Sequence, residues 1–431
     1  GYEISGSDLR TSPITELLAG LGARIQTGHD AANVNDAKAL VISSAVKEDN
    51  PEVREARRRQ IPVIPRGELL AELMRLKYGI AVAGSHGKTT TTSIVATVLS
   101  QAGLDPTVVV GGRISTMGGS NARVGRSDFL VVESDESDGS FLKLAPILAI
   151  ITNIDHEHLD HYRSFDKVVD AFVEFANKAP FYGASILCLD DVPVREMLPR
   201  VKRRTITYGE RAEADLCITE VRPDRFASDF RLRRRDTDLG MFRINVPGHH
   251  MVLNATAAIA AALELEVGAA TIRTALAEYS GVDRRFQQRG VAAGVTVVDD
   301  YGHHPTEIRA TLATARQCGY ERVLVLFQPH RYSRTRLLMD EFGRAFKQAD
   351  AVFVTDIYAA SEPPIEGVTA EALVERLRAC EHRSAVYAGP LEEAVEQVLA
   401  AARPGDVIVT LGAGSVSQAG ERLLQGLERK A

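Results

Sequence analysis

Gly79-Ile80-Ala81-Val82-Ala83-Gly84-Ser85-His86-Gly87-Lys88-Thr89-Thr90-Thr91 is the stretch on which the fold turns. Its first five residues form an apolar run of the kind buried in a parallel sheet, and a helical pattern follows from Thr89 to about Ala102. A glycine loop between strand and helix turns backbone N–H groups toward a phosphate, and the helix N-terminus adds partial positive charge. Lys88 would then reach the β- and γ-phosphates of a nucleoside triphosphate, and Thr89 would offer its hydroxyl to magnesium. The stretch departs from the full eight-residue pattern, because Val82 stands at the first glycine position.

Working outward, the pattern on both sides is α/β. Upstream, Ala39-Leu40-Val41-Ile42 runs into Ser43-Ser44, a charged helical segment follows from Pro51 to Arg59, and Ile61-Pro62-Val63-Ile64 reads as the next strand. The chain starts at Gly1-Tyr2-Glu3-Ile4 without an initiator methionine, so a strand, its glycine loop and a helix are expected upstream. Downstream, strands are expected to end at Val110, Val132 and Asn153, before a β-like charged section from Ser185 to Val246 and an alanine-rich helix from Ala255 to Leu265. A further unit opens near Arg284, with strands at Val295–Val298, Val323–Phe327, Ala351–Thr355 and Val407–Leu411.

A chain of 431 residues exceeds one compact core and suggests about three domains. Lys and Arg number 51 against 57 Asp and Glu, for a net charge of -6, which gives no global reason to bind nucleic acid. The runs Arg57-Arg58-Arg59 and Arg233-Arg234-Arg235 read as solvated surface. No apolar run is long enough to span a bilayer, so no membrane insertion is expected. Cys188, Cys217, Cys318 and Cys380 are scattered and form no C-x-x-C pair, which reads as a reduced compartment.

Four further motifs follow strand ends. Glu133-Ser134-Asp135-Glu136-Ser137-Asp138 places acids after an apolar strand, where a magnesium ligand belongs, and Glu133 is the first of them. The other acids of that run read equally well as a solvated turn. In the second motif, His156, His158, Asp160 and His161 fit the H-x-H-x-D-H pattern of a binuclear metal-dependent hydrolase, though they also suit caps or surface. The third, Asp299-Asp300-Tyr301-Gly302-His303-His304-Pro305, brings acids beside imidazoles, or is a turn with a helix cap. Gln328-Pro329-His330-Arg331-Tyr332-Ser333-Arg334-Thr335-Arg336 concentrates guanidinium groups that can clamp a carboxylate or phosphate.

Taken in order, these motifs resemble the Mur ligases, together with Ser5-Gly6-Ser7-Asp8, Thr152-Asn153-Ile154 with His158, and Gly248-His249-His250 with Asn254. The resemblance runs from Gly1 to the C-terminal region, and the stretch from His330 to Arg334 is similar to the alanine-adding branch. It implies three domains: a truncated N-terminal Rossmann-like domain over 1–76, a central P-loop ATPase domain over 77–282 and a C-terminal Rossmann-like α/β domain over 283–431. It further implies ATP-dependent ligation of L-alanine to UDP-N-acetylmuramate through an acyl phosphate, in bacterial cytoplasmic peptidoglycan synthesis. A monomer or weak homodimer is expected. The alternatives are a truncated module that binds ATP without turnover and the metal-dependent hydrolase.

The resemblance also assigns residues. Gly84, Ser85, His86, Gly87, Lys88, Thr89 and Thr90 would hold ATP phosphates with Arg285, while Asn254 meets adenine and Asp300 the ribose. Two magnesium ions would involve Thr89, Glu133 and His158. His303, His330, Arg331 and Arg334 would orient alanine and the muramoyl carboxylate, with Lys88, His158, His303 and Arg331 closest to the chemistry. Ser43, Ser44 and Asn121 would line the UDP-sugar. Met251 stands where the family pattern leads one to expect asparagine.

Overall fold

The computed structural model describes residues 2–43, 45–114, 120–382 and 384–430, without the side chains of 112–114, 120, 159 and 160. Its centre is the strand Tyr78–Ala83, buried along almost its whole length in a ten-stranded sheet. From one edge the sheet runs Thr237–Ile244, Ala227–Arg234, Leu216–Asp224, Thr205–Gly209, Ala184–Cys188, Leu148–Ile151, Tyr78–Ala83, Phe129–Glu133, Thr107–Ile114 and Ser120–Arg123. The inner strands pair in parallel, and antiparallel hairpins finish both edges. The charged section after Ser185 is therefore no separate body. It extends the same sheet, its charges on the exposed sides of the hairpins, while Leu216, Ile218, Phe230, Leu232, Phe242 and Ile244 face the core.

The helix Lys88–Gln101 packs against His249–Glu264, whose buried Ala255, Ala257, Ala258 and Ala261 are small enough to bring the two helices close. Thr152, which follows strand Leu148–Ile151, stands beside the glycine loop, as do the acids following Phe129–Glu133. Because these three strands are adjacent and parallel, their C-terminal loops converge on one edge.

A second sheet of six strands runs Gln287–Ala292, Val295–Asp300, Val407–Leu411, Val323–Phe327, Ala351–Thr355 and Ala385–Gly389. Only its first strand pairs antiparallel. The loops after Asp300, Phe327 and Leu411 leave three neighbouring strands side by side. A separate contact joins the two large sheets' domains. The turn between Leu216–Asp224 and Ala227–Arg234 meets the end of helix Pro305–Gln317, where Arg225 Nε donates to Cys318 O at 3.4 Å and Gln317 Nε2 to Ala227 O at 3.4 Å.

The first seventy-odd residues are built more thinly, as two parallel pairs, Ser5–Asp8 with Arg24–Thr27 and Leu40–Ile42 with Val63–Pro65. Helices Pro13–Gly20 and Pro51–Arg58 begin at proline behind the caps Ser12 and Asn50. Glu52 ties the two pairs together: it accepts from Ser7 Oγ at 2.8 Å and from Asn33 Nδ2 at 2.8 Å. Ile4, Leu9, Leu17 and Leu21 stay exposed.

Candidate active site

The glycine loop is set by close approach. Gly84 has φ 133°, and a Cβ there would lie 2.0 Å from Thr152 Oγ1; at Gly87, φ 80°, it would lie 2.6 Å from Asn254 Oδ1. Only glycine fits either place. Val82, at the position where the longer pattern has glycine, is still inside the strand and fully buried, pairing with Glu133.

Lys88 Nζ donates to Gly84 O at 2.6 Å, Ser85 O at 3.1 Å and Glu136 Oε1 at 2.9 Å. Burial disfavours its charge, but Glu136 more than compensates and holds its pKa above the usual lysine range. Glu136 is 1% exposed, not part of a solvated turn; Tyr162 pins its backbone carbonyl at 2.7 Å. Thr89 Oγ1 donates to Glu133 Oε1 at 2.9 Å, and Gly111 N to Glu133 Oε2 at 2.6 Å. A hydroxyl and a carboxylate so close offer the hard oxygen donors that magnesium prefers.

His158 lies elsewhere, 3.6 Å from Glu136 and 3.9 Å from Glu157, in a left-handed backbone conformation at φ 56°. Glu136, Glu157 and His158 each offer a ligand atom within 4.8 Å of the others, and Glu136 Oε2 is buried with no hydrogen-bond partner. That orphaned oxygen fits a cation. The hydrolase pattern does not assemble: His156 stacks on Phe165 at 4.0 Å, His161 packs edge-on to Tyr162, and the Asp160 side chain lies outside the described residues.

A cavity of about 430 Å³ opens beside the loop, lined among others by Gly87, Thr90, Asn254, Arg285 and Asp300. Met251 and His250 also line it. Both Asp300 oxygens accept backbone N–H groups, from Phe286 and Gly302, each at 2.7 Å, and burial pushes its pKa up to about 6. Arg285 stacks over Tyr301 and stands 3.6 Å from Glu307. A larger cleft of about 1460 Å³ adjoins it, where Thr89, Glu133 and Asn121 meet Ile14 and Leu17 from the N-terminal part and Arg284, Arg285, Arg289, Gln418 and Arg422 from the C-terminal part. Ser43 is exposed at the end of its strand and does not line this cleft; Ser44 lies outside the described residues.

On the other side His303 Nδ1 faces Tyr301 O at 3.1 Å and Glu307 Oε2 at 3.3 Å. Both are acceptors, so Nδ1 carries the proton and Nε2 keeps its lone pair. Burial lowers the His303 pKa to about 4, despite the raising effect of Glu307. His330 stacks on Tyr358 and its Nδ1 accepts from Arg334 Nη1 at 3.2 Å; burial, then His303 and Arg334, hold its pKa at about 4. The rings of His303 and His330 meet edge-on at 5.8 Å. Arg331 is exposed at φ 69°, and its guanidinium makes no hydrogen bond or ion pair among the described residues.

Sequence reading did not single out Asp155, Thr306 or Glu307, yet they stitch the two sides together. His86 Nε2 lies 2.9 Å from Asp155 Oδ2 and its Nδ1 3.3 Å from Glu307 Oε1, while Thr306 Oγ1 donates to Asp155 Oδ2 at 2.7 Å. The signal available for Glu307 was its place three residues after His304, a capping-box spacing behind Pro305.

Residues 82–262 match the family described as Mur ligase middle domain, 284–414 the Mur ligase glutamate ligase domain, and 1–78 the Mur ligase catalytic domain. The chain is 68% identical to a UDP-N-acetylmuramate--L-alanine ligase of Solibacter usitatus, over 99% of this chain and 90% of the relative. It is 54% identical to the enzyme of that name from Koribacter versatilis, over 100% of this chain and 93% of the relative. Among solved structures, the UDP-N-acetylmuramate-alanine ligase of Thermotoga maritima superposes with a TM-score of 0.81 at 28% identity, covering 99% of this chain and 94% of that one. A MurF ligase of the same organism, in complex with ADP, shares the fold at a TM-score of 0.70 and 18% identity, covering 94% and 98%.

Proposed function

The chain belongs to the Mur ligase family, and from that premise we propose how its residues share the work. It is an ADP-forming ligase that joins L-alanine to the carboxylate of UDP-N-acetylmuramate in peptidoglycan precursor synthesis. A carboxylate is a poor electrophile, so its oxygen first attacks the γ-phosphorus of ATP, and ADP leaves. The amine of alanine then attacks the acyl phosphate carbon and loses a proton, the C–O bond breaks, and inorganic phosphate departs.

Most of this work is positioning and charge neutralisation. Lys88, released from the carbonyls of Gly84 and Ser85, neutralises the transferring phosphoryl group. Thr89 and Glu133 would hold magnesium, and Glu136, Glu157 and His158 a second ion. Magnesium supplies charge neutralisation to the phosphate oxygens when bound. Gly84, Ser85, Gly87 and Thr90 surround the phosphates with Arg285; Asn254 meets adenine and Asp300 the ribose. Arg331 and Arg334 pair with carboxylates beside His330, and the lone pair on His303 Nε2 is placed to accept a hydrogen bond from the alanine amine. Asn121, which lines the larger cleft, would face the sugar nucleotide.

Domain boundaries after residues 76 and 282 suit this division. We place the enzyme in the bacterial cytoplasm, where ATP and the sugar nucleotide are found, as a monomer or weak homodimer that binds neither nucleic acid nor membrane. No helix among the described residues is long and apolar enough to cross a membrane.

The observation that carries the proposal is the meeting of the Lys88 loop with the His303 loop through Glu307. Its test is product analysis by mass after incubation with ATP, magnesium, UDP-N-acetylmuramate and a panel of amino acids. The alanine amide should dominate, with phosphate release requiring all substrates. Phosphate release indifferent to the sugar nucleotide would sink the reading.

A further inference from the structure

His86 lies in the phosphate loop, yet both of its ring nitrogens are engaged by carboxylates that come from different domains. A carboxylate accepts hydrogen bonds and donates none, so both nitrogens carry a proton and the ring is an imidazolium. Burial alone would lower the pKa of His86; the bonds to Asp155 and Glu307 carry it up to about 10. Solvent screens the pair little, since the His86 and Glu307 side chains are 13% and 12% exposed. Asp155 is anchored to the same loop by its own N–H, which donates to Ser85 Oγ at 2.8 Å.

Glu307 has a second engagement. Its Oε2 accepts the backbone N–H of His303 at 3.0 Å and of His304 at 3.2 Å. A continuous path therefore runs from the phosphate loop through the imidazolium and Glu307 to the backbone that carries His303. From these contacts we infer that Glu307 is a positioning residue that senses the phosphate loop through His86 and sets His303 for the amino acid, so that the two loops come into place together. The inference rests on the assignment of His303 to the amino-acid side of the reaction.

The competing account is that Glu307 only caps helix Pro305–Gln317. Glutamine distinguishes the two. In Glu307→Gln the amide oxygen still accepts from His303 and His304, while the charge facing His86 is gone.

The experiment is a double-mutant cycle with His86→Gln, Glu307→Gln and the double variant, reading kcat and KM for L-alanine at saturating ATP and UDP-N-acetylmuramate. Each single variant is expected to lower kcat/KM for alanine by about 10- to 100-fold, and the double variant by no more than the worse single one. Effects that multiply, or a Glu307→Gln enzyme with wild-type alanine kinetics, would overturn the inference and leave Glu307 a cap. If Glu307→Gln does not fold, Thr306→Val replaces it in the cycle, because it removes the neighbouring cross-domain bond from Thr306 Oγ1 to Asp155 and spares the cap; the same non-additivity is expected, and multiplying effects again overturn it. Wild-type ligation is the control: an enzyme that makes no alanine amide overturns the functional reading itself, whereas an active enzyme with multiplying effects overturns only the coupling.

Discussion

The two walls of the cleft are built on the same plan, loops leaving adjacent parallel strands, but their charges are arranged in opposite ways. On the central wall nearly every reactive group has a partner: Lys88 has three acceptors, and Glu133 takes both Thr89 and Gly111. On the C-terminal wall His303 and His330 are held neutral, Arg334 donates to a neutral ring, and the Arg331 guanidinium makes no hydrogen bond or ion pair among the described residues. The first wall is balanced in advance, as suits a ligand that arrives as a polyanion with its own cation. The second carries surplus positive charge, as suits carboxylates that arrive alone.

The largest effect should come from breaking the balanced wall. Lys88→Ala is expected to lower ligation by about a thousandfold or more, because the proposed partner of the transferring phosphoryl group is lost while Arg285 stays held beside Glu307; phosphate release under saturating substrates measures it. Arg331→Lys strikes the other wall, and should raise KM for alanine or UDP-N-acetylmuramate by about 10- to 100-fold while ATP affinity stays within twofold, since a point charge cannot reproduce a fork. Equal losses for ATP would dissolve the contrast between the walls. Glu133→Gln should raise the magnesium needed for half-maximal activity by about tenfold, read from a magnesium titration.

The smallest effect is on stability, and its sign differs between the walls. His86 has a folded pKa near 10 against an ordinary 6.5, so its contribution is full below 6.5 and is lost as pH rises toward 10. His303 and His330 have folded values of about 4, so the unfolded chain binds more protons between about 4 and 6.5 and stability rises with pH across that window. Melting curves should therefore show His86→Gln flattening the alkaline decline by a few degrees and His330→Gln flattening the acid one. Identical pH profiles for both variants would contradict the assignment.

What could be read in the sequence was local in character. The run Gly79–Ala83, its glycines and Lys88 sit within a dozen residues, and the strands Val323–Phe327, Ala351–Thr355 and Val407–Leu411 have the expected bounds because short runs rich in valine and other large apolar residues have few alternatives. The charged section after Ser185 was harder to place, since alternation reveals strands but not which sheet they join. Glu136 gave no hint of burial, because its cover comes from Tyr162 and Lys88 rather than from its neighbours. His86 and Glu307 are 221 positions apart, and only the folded chain brings them together.

The contact at Arg225 and Cys318 has a mechanical meaning. Together with the His86 bridge, and with helix Pro305–Gln317 packed on His249–Glu264 between them, it ties the C-terminal domain to the central one along a line. Swinging about that line is the motion that preserves both attachments. It would widen or narrow the cleft along one arc, as a door moves on two hinges, without demanding that either hinge be rebuilt in each turnover.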